Sequence, residues 1–144
     1  MARRTAQDGE ASEEAPRRVI TSFTFDTGML IALERRKAHA EKALRDVARR
    51  RHIPVVPAVV FAEWWRGRTD HREELLSMVR IEPMTPRLCR ATGEAIAAVP
   101  GATLVDAAVM ASASLRGGGV VYTADRDDLS KLGAHFPLIM LLDV

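Results

Sequence analysis

Short apolar runs alternate along the chain with longer segments in which apolar residues recur every three or four positions. The runs are rich in β-branched and aromatic residues, and they predict strands over 19–25, 53–56, 79–84, 120–124 and 137–142. The periodic segments predict helices over 29–36, 40–51, 57–64, 70–78, 86–98, 103–114 and 127–132. Pro57 and Pro86 are both expected at the first position of a helix. Strands that alternate with helices predict an α/β domain around a parallel or mostly parallel sheet.

Composition fits one globular domain. The chain has 144 residues, 47% of them hydrophobic, which is enough to bury a sizeable core. Residues 1–18 carry four acids and four arginines without a hydrophobic period, so we expect either a disordered tail or a segment foreign to the native protein, with the domain over 19–144. The single Cys89 excludes an internal disulfide, and no apolar run is long enough to span a membrane. These features predict a cytoplasmic protein.

The basic residues are mostly arginine. The net charge is only +2, which does not identify a nucleic-acid-binding protein. Arginine supplies 18 of the 21 basic residues, and its planar guanidinium suits phosphate contacts. An arginine-rich genome would give the same count, so the composition supports an RNA or DNA ligand only mildly.

Four acidic residues fall where a predicted strand meets a helix or just inside the helix that follows: Asp26, Glu63, Asp106 and Asp125. They are separated by 37, 43 and 19 positions, so only a parallel sheet could bring them together, at the carboxyl ends of its strands. Carboxylates gathered in one place repel one another unless a cation neutralises them. Without Cys or His partners, such a set is typical of a Mg²⁺ or Mn²⁺ site.

Each of these acids also has a simpler explanation. Asp26 and Asp125 are suited to the N-caps of the helices that follow them. Asp106 follows Thr103 in a Thr-x-x-Asp arrangement that resembles a capping box. Glu63 could be a solvated residue on a helix face. The four residues taken together are harder to explain in this way than any one of them alone.

Four segments resemble the motifs of PIN domains, in particular those of VapC-like toxins from bacterial toxin–antitoxin pairs. Phe-Asp-Thr-Gly-Met-Leu-Ile-Ala-Leu at 25–33 resembles the opening motif, and Val-Val-Phe-Ala-Glu at 59–63 resembles the second. Leu-Val-Asp-Ala-Ala-Val-Met-Ala at 104–111 resembles the third, and 121–129, with its Thr-x-Asp, resembles the fourth. The motifs occur in family order and span nearly the whole domain.

The resemblance implies a three-layer α/β/α sandwich that acts as a Mg²⁺-dependent endoribonuclease, with Mn²⁺ as a possible substitute. It implies that Asp26, Glu63, Asp106 and Asp125 surround the metal and that Thr123 supplies a hydroxyl beside it. It also implies a homodimer, an RNA substrate, and a cognate antitoxin that silences the enzyme. Thr27 is a candidate for a second hydroxyl at the site, and either Asp127 or Asp128 could assist; these three residues are close to the motif acids in sequence.

Three alternative functions are compatible with parts of this pattern. A PIN-like module that binds RNA or protein without cutting has the same sequence features, although all four acids are present. A signalling receiver domain would need a paired acid beside Asp26 and a well-placed Lys, and a haloacid-type phosphatase would need Asp-x-Asp there, where the chain has Asp26-Thr27-Gly28.

Other residues are expected to have structural roles or to assist binding. At least one of Trp64 and Trp65 is expected in the core, and either could line an antitoxin groove. Cys89 is expected to be buried. Three arginines near the predicted site could contact RNA phosphates or could equally be solvated: Arg66, Arg68 and Arg126. The four histidines show no metal-ligand spacing.

Overall fold

The computed structural model describes residues 22–144, so the predictions for residues 1–18 lie outside the described residues. The five strands are β1 (Phe23–Phe25), β2 (Val55–Pro57), β3 (Arg80–Glu82), β4 (Gly119–Thr123) and β5 (Ile139–Asp143). The seven helices of this region are α1 (Thr27–Glu34), α2 (Ala38–Arg49), α3 (Ala58–Trp64), α4 (Asp70–Ser77), α5 (Pro86–Ala98), α6 (Leu104–Leu115) and α7 (Arg126–Gly133).

All five strands form one parallel sheet in the order β3-β2-β1-β4-β5. The central strand β1 pairs with β4 through Phe25 and Tyr122, and with β2 through Thr24 and Val55. The chain is a three-layer α/β/α sandwich, which confirms the predicted fold class. Because the strands are parallel, their carboxyl ends lie at one edge of the sheet, where ligands bind in such folds.

Every predicted strand and helix of the described region is present, with ends shifted by a few residues. One local prediction was wrong: Pro57 is the last residue of β2 and the N-cap of α3, not the first helical residue. Its backbone has ψ near 146°, so the strand continues through it before the helix begins. Pro86, in contrast, is the first residue of α5 as predicted, and the Thr85 side chain caps the helix by accepting a hydrogen bond from the Leu88 N–H.

The core is built around β1, β4 and the alanine-rich helix α6. Every residue of β1 is buried, and seven consecutive residues of α6, from Ala107 to Ala113, are buried as well. A helix buried on all sides must be apolar and narrow, which explains its small side chains. Since α6 begins at Leu104, its first turn carries Asp106 into the functional region.

At the opposite end of α6, Arg116 joins the helix to the sheet. Its guanidinium donates hydrogen bonds to the buried Thr24 hydroxyl, to the Ser112 hydroxyl at 2.6 Å and to the Glu82 carboxylate at 2.9 Å. Burial lowers the pKa of Arg116, and the Glu82 charge opposes that change. These contacts link α6 to β1 and β3.

Cys89 is exposed, so the prediction that it is buried was wrong. It lies on the outer face of α5, where its Sγ is 3.6 Å from the Met84 carbonyl oxygen. Of the two tryptophans, Trp64 is buried in the core, as expected for at least one of them, and Trp65 is partly buried against it. Within residues 22–144, no helix is both long and apolar enough to cross a membrane.

Candidate active site

The structure brings the four predicted acids to the carboxyl edge of the sheet. Asp26 directly follows β1, and Asp125 follows β4 by two residues. Glu63 lies in the last turn of α3, and Asp106 lies in the first turn of α6. Since β1 and β4 are neighbours and both helices begin or end at this edge, residues distant in sequence share one region.

Asp26 is the most buried of these carboxylates, with only 6% of its surface exposed. Its Oδ1 accepts a hydrogen bond from the Met29 N–H at 2.8 Å and so caps α1, as expected for a residue at this position. Burial raises the pKa of Asp26 to about 6; the charges of Asp106 and Asp125 act in the same direction, while hydrogen bonds from Thr123 and Met29 oppose them. Asp26 is therefore held in a site that disfavours its charge.

Thr123 links the two strand-end acids. Its hydroxyl oxygen accepts a hydrogen bond from the Asp125 N–H at 2.8 Å, and its side chain acts on the Asp26 carboxylate so as to lower the pKa of that group. Asp125 in turn accepts from the Asp128 N–H at 3.2 Å and caps α7. Thr123 is fully buried at the end of β4, so its position is fixed by the sheet.

Asp106, in the first turn of α6, is the third carboxylate of the candidate site. Its N–H donates to the Thr103 hydroxyl at 3.1 Å, which is the predicted cap of that helix. Burial raises the pKa of Asp106, and the charges of Asp128, Glu63 and Asp125 raise it further. The carboxylates therefore act on one another across three elements, and Asp128, rather than Asp127, is the additional acid that influences Asp106.

Glu63 is held by a residue from another helix. The Thr27 hydroxyl donates a hydrogen bond to Glu63 Oε1 at 2.5 Å, across 36 positions of sequence. The other oxygen, Oε2, has no hydrogen-bond partner within residues 22–144. Thr27 thus orients an exposed carboxylate and leaves one of its oxygens available.

Gly28 allows α1 to approach the end of β4. A Cβ atom at Gly28 would lie 2.7 Å from the Cβ of Ala124 and 3.2 Å from its backbone nitrogen. Both distances are shorter than ordinary van der Waals contact, so a larger residue would separate α1 from the segment that carries Asp125. The small side chains at both positions therefore let Asp26 and Asp125 lie close together.

No described cation forms an ion pair with these carboxylates. In the part of the chain that the structure describes, none of the four acids forms an ion pair with Lys, Arg or His. No three His, Cys, Asp or Glu side chains of residues 22–144 stand close enough to form a ready-made metal site. Oxygen donors with uncompensated charge nevertheless fit Mg²⁺, which takes only one or two carboxylates and retains several waters.

Comparison with known proteins gives the family. The family model of the PIN domain matches residues 23–134. The chain belongs to the PIN-domain family. A search of curated proteins found no match.

Two solved structures share the fold of this PIN domain. One is a toxin–antitoxin complex from Klebsiella pneumoniae, which matches with a TM-score of 0.66, 20% identity, and coverage of 83% of this chain and 96% of the other. The second is VapBC2 from Rickettsia felis bound to a DNA fragment from its promoter, with a TM-score of 0.67, 13% identity, and coverage of 86% and 99%. The family model thus confirms the predicted PIN family, and the two structures confirm the predicted fold.

Behind Glu63, the PIN domain contains a polar contact set that the sequence did not reveal. The Trp64 indole N–H donates to Glu34 Oε1 at 3.0 Å, and the Arg72 guanidinium contacts Glu34 Oε2 at 2.6 Å. Arg72 also donates to the Gly67 carbonyl oxygen at 2.9 Å. Because Trp64 is only 3% exposed, its N–H needs an internal acceptor, and Glu34 supplies it. These contacts of Glu34 with Trp64 and Arg72, called the clamp below, fix α3, and with it Glu63, against α1 and α4.

We expect replacement of Glu34 with Ala to destabilise the protein by about 1–3 kcal/mol, because it leaves the Trp64 N–H and the Arg72 charge without their partner. The side chains of Arg72 and Glu34 are 17% and 27% exposed, so solvent screens the ion pair only in part. The matched control is Glu73→Ala, which breaks the more exposed pair with Arg68 and should cost about 0–1 kcal/mol. Urea unfolding measures both, and equal costs would contradict the role given to the clamp.

The sequence located the acids but missed several of the residues that position them. Glu34 and Arg72 lie outside the four motifs and had no signal. Thr27 was only a candidate for a site hydroxyl, with no hint that Glu63 is its partner. Gly28 belongs to α1 and makes a close packing contact that no sequence pattern indicated. The metal-binding and catalytic roles of Asp26, Glu63, Asp106, Asp125 and Thr123 stay predictions.

Proposed function

We propose that this PIN domain is a metal-dependent endoribonuclease of the VapC-like toxin type, which hydrolyses RNA phosphodiester bonds and is inhibited by a cognate antitoxin. The observation that carries the proposal is the convergence of Asp26, Glu63, Asp106 and Asp125 at one edge of a parallel sheet, without a described cationic partner. A purely structural group of acids would be paired with Lys or Arg, because uncompensated carboxylates cost stability.

The residues suit Mg²⁺, with Mn²⁺ as a substitute. Asp26 and Asp106 would be the principal ligands, with Asp125 binding directly or through water. When bound, the metal would neutralise phosphate charge and make a water molecule more acidic. Hydrogen bonds at Asp26 and Asp125 use some of their oxygens, and the rest are available for a ligand.

The chain itself would position the reacting groups. The hydroxyl of Thr123 accepts the N–H of Asp125, the N-cap of α7, and Thr123 also lowers the pKa of Asp26, so this side chain would hold the ends of β1 and β4 in place. Thr27 fixes one oxygen of Glu63, and the free Oε2 can accept a hydrogen bond from the attacking water and orient it towards the phosphate. The clamp beneath α3 prevents Glu63 from moving away as substrate enters.

An antitoxin partner follows from the same proposal. One of the two structures described above is a toxin–antitoxin complex and the other is VapBC2 bound to promoter DNA, and this chain shares their fold. Trp64 cannot serve as an exposed anchor for such a partner, because it is buried and its N–H is bonded to Glu34. A homodimer and a cytoplasmic location also belong to this proposal.

Purified full-length protein incubated with total cellular RNA tests the proposal. We expect discrete fragments with Mg²⁺ and none with EDTA, because the carboxylates alone would repel the phosphate. The Asp106→Asn variant, which keeps the backbone bond to Thr103, is expected to show no cleavage even with Mg²⁺.

Cleavage that persists in EDTA and in the Asp106→Asn variant would contradict the assignment. If the wild-type protein, shown to be free of antitoxin, binds RNA but does not cut it, the chain is instead a PIN-like binding module. Isothermal titration with Mg²⁺ then shows whether the acidic group binds metal at all.

A further inference from the structure

A groove runs along the surface from Glu63 towards the end of α1. It has a volume of about 680 Å³, and Thr27 and Glu63 form the end of it that joins the acidic group. Arg35, Arg66 and Arg72 line the remainder together with Glu34. A ligand in this arginine groove would therefore extend directly into the candidate active site.

The positive charge of the arginine groove exceeds what its own acids neutralise. Glu34 is occupied by Arg72 at 2.6 Å and by the Trp64 N–H at 3.0 Å. Arg35 and Arg66 form no ion pair within residues 22–144, and both are exposed. The groove thus presents two cations beside a region of uncompensated negative charge.

Arg66 is held in place before any ligand arrives. Its Nη1 donates to the Glu63 carbonyl oxygen at 2.7 Å and to the Trp65 carbonyl oxygen at 3.3 Å, at the end of α3. These bonds use one nitrogen of the guanidinium and leave the others to face the groove. A preorganised guanidinium loses less conformational entropy on binding a phosphate than a freely moving side chain does.

Resting on the proposed ribonuclease function, we propose that Arg35 and Arg66 bind a backbone phosphate of single-stranded RNA, one or more nucleotides away from the bond that is cut. Two guanidiniums a short distance from an acidic centre match a polyanion whose scissile phosphate lies at the acids and whose neighbouring phosphate lies in the groove. Arg35 ends α1 and Arg66 follows α3, the two helices that carry Thr27 and Glu63.

A polyanion fits the arginine groove better than an apolar peptide does. Ile31 and the buried Trp64 are the apolar residues of its lining, and the remaining side chains are charged or carry a hydroxyl. Docking of an apolar helix face requires a continuous hydrophobic strip, which this lining does not provide. The charge balance instead favours a ligand that brings negative charge.

Equilibrium binding of a fluorescein-labelled single-stranded RNA of about 12 nucleotides tests the proposal by fluorescence anisotropy. The measurements use the full chain in an Asp26→Asn background with Mg²⁺, so that the RNA stays intact. We expect Arg35→Gln and Arg66→Gln each to weaken binding by about threefold to tenfold and to reduce the slope of log K against log salt by about 0.7.

The matched control is Arg49→Gln. Arg49 is likewise an exposed arginine at the end of a helix, but α2 ends before β2 begins, so this residue is at the opposite edge of the sheet. Its replacement should leave RNA affinity unchanged. In the cleavage-competent background, the groove variants should raise KM for the RNA with little change in kcat, since they remove binding that does not change in the transition state.

The outcomes separate this proposal from the ribonuclease function. If the wild-type chain cleaves RNA but Arg35→Gln binds and cleaves as well as Arg49→Gln, the groove proposal is wrong and the nuclease stands. If Arg66→Gln lowers only the melting temperature, Arg66 merely caps α3. If the variants lose affinity for an antitoxin peptide but not for RNA, the groove binds protein. Absence of both binding and cleavage in the wild type would reject the ribonuclease function itself.

Discussion

Replacement of Asp26 with Asn is expected to lower the rate of RNA cleavage strongly and, in the absence of divalent metal, to make the protein harder to unfold. The loss of activity should be on the order of a hundredfold to a thousandfold, as when one preorganised electrostatic group is removed from an active site. The gain in stability should reach at most about 3 kcal/mol near neutral pH. A residue retained for structure alone would not show these opposite effects.

The stability gain follows from where Asp26 lies. Its carboxylate is buried, and Asp106 and Asp125 add repulsion, which together raise its pKa from 3.8 to about 6. Asn keeps an oxygen that can accept the Met29 N–H, because Asn and Asp are equally good N-caps. The substitution therefore removes the buried charge without removing the cap of α1.

The pH dependence of this gain has a definite sign. The folded protein holds the proton of Asp26 more tightly than the unfolded chain does, so folding is favoured while the carboxyl is protonated, below about pH 4. That contribution is lost as the pH rises through about 6, and the wild type then bears the cost of a buried charge. The stability difference between the Asn variant and the wild type should therefore be largest above pH 6 and small near pH 4.

Urea unfolding in EDTA at two pH values measures the stability, and the RNA cleavage assay measures activity. Asp46→Asn is the matched control: Asp46 is partly exposed at the surface, pairs with Lys42 at 3.0 Å, and its pKa is lowered mainly by the hydrogen bond from Lys42. We expect this control to leave cleavage intact and to give no gain in stability. Addition of Mg²⁺ should reduce the advantage of the Asn variant, because a ligand that binds only the folded wild type stabilises it. Lower stability of Asp26→Asn in EDTA would contradict this account.

The alternation of strands and helices could be predicted from the sequence because each element has its own local sequence signal. Thr85-Pro86 marks the start of α5 without any tertiary information, and the β-branched runs mark β1 and β4. The strand-end acids were also predictable, because a parallel sheet brings its carboxyl ends together whatever the intervening sequence. The four segments that resemble PIN-domain motifs then distinguished this fold from other α/β folds.

The remaining features depend on contacts between distant residues. The bond from Thr27 to Glu63 spans 36 positions, and that from Trp64 to Glu34 spans 30. Cys89 was mispredicted because the pattern of α5 does not show which face its neighbours cover. Pro57 was mispredicted because its fixed φ is compatible with both the end of a strand and the start of a helix. For Cys89 and Pro57 the local sequence is compatible with both outcomes, and only the packing of distant residues distinguishes between them.

Replacement of Gly28 with Ala should lower both stability and activity, although Ala is the better helix former. The new Cβ would lie 2.7 Å from the Cβ of Ala124, and that methyl group is attached to backbone and cannot rotate away. Overpacking of this kind costs about 1–3 kcal/mol. To relieve the contact, α1 must move away from the segment that carries Asp125. A displacement of even about 1 Å at a catalytic group can lower the rate by about a hundredfold.

Gly93→Ala is the control for helix propensity. Gly93 lies in α5, where a Cβ meets nothing within 4 Å, so the same substitution should stabilise the protein by up to about 1 kcal/mol and leave cleavage unchanged. Thermal unfolding and the RNA cleavage assay are applied to both variants. Opposite signs of the two stability changes would show that packing at Gly28, rather than intrinsic preference, determines the outcome.

A compensating change distinguishes the close contact from a general disturbance of α1. In the double variant Gly28→Ala with Ala124→Gly, the methyl group moves from one side of the contact to the other, and only the 3.2 Å approach to the Ala124 backbone nitrogen is left. We expect the double variant to recover much of the activity, with a coupling energy of about 0.5–3 kcal/mol in the stability cycle. Additive losses would mean that Gly28 is needed for the path of the α1 backbone itself, and the spacing between Asp26 and Asp125 would then depend on something other than this contact.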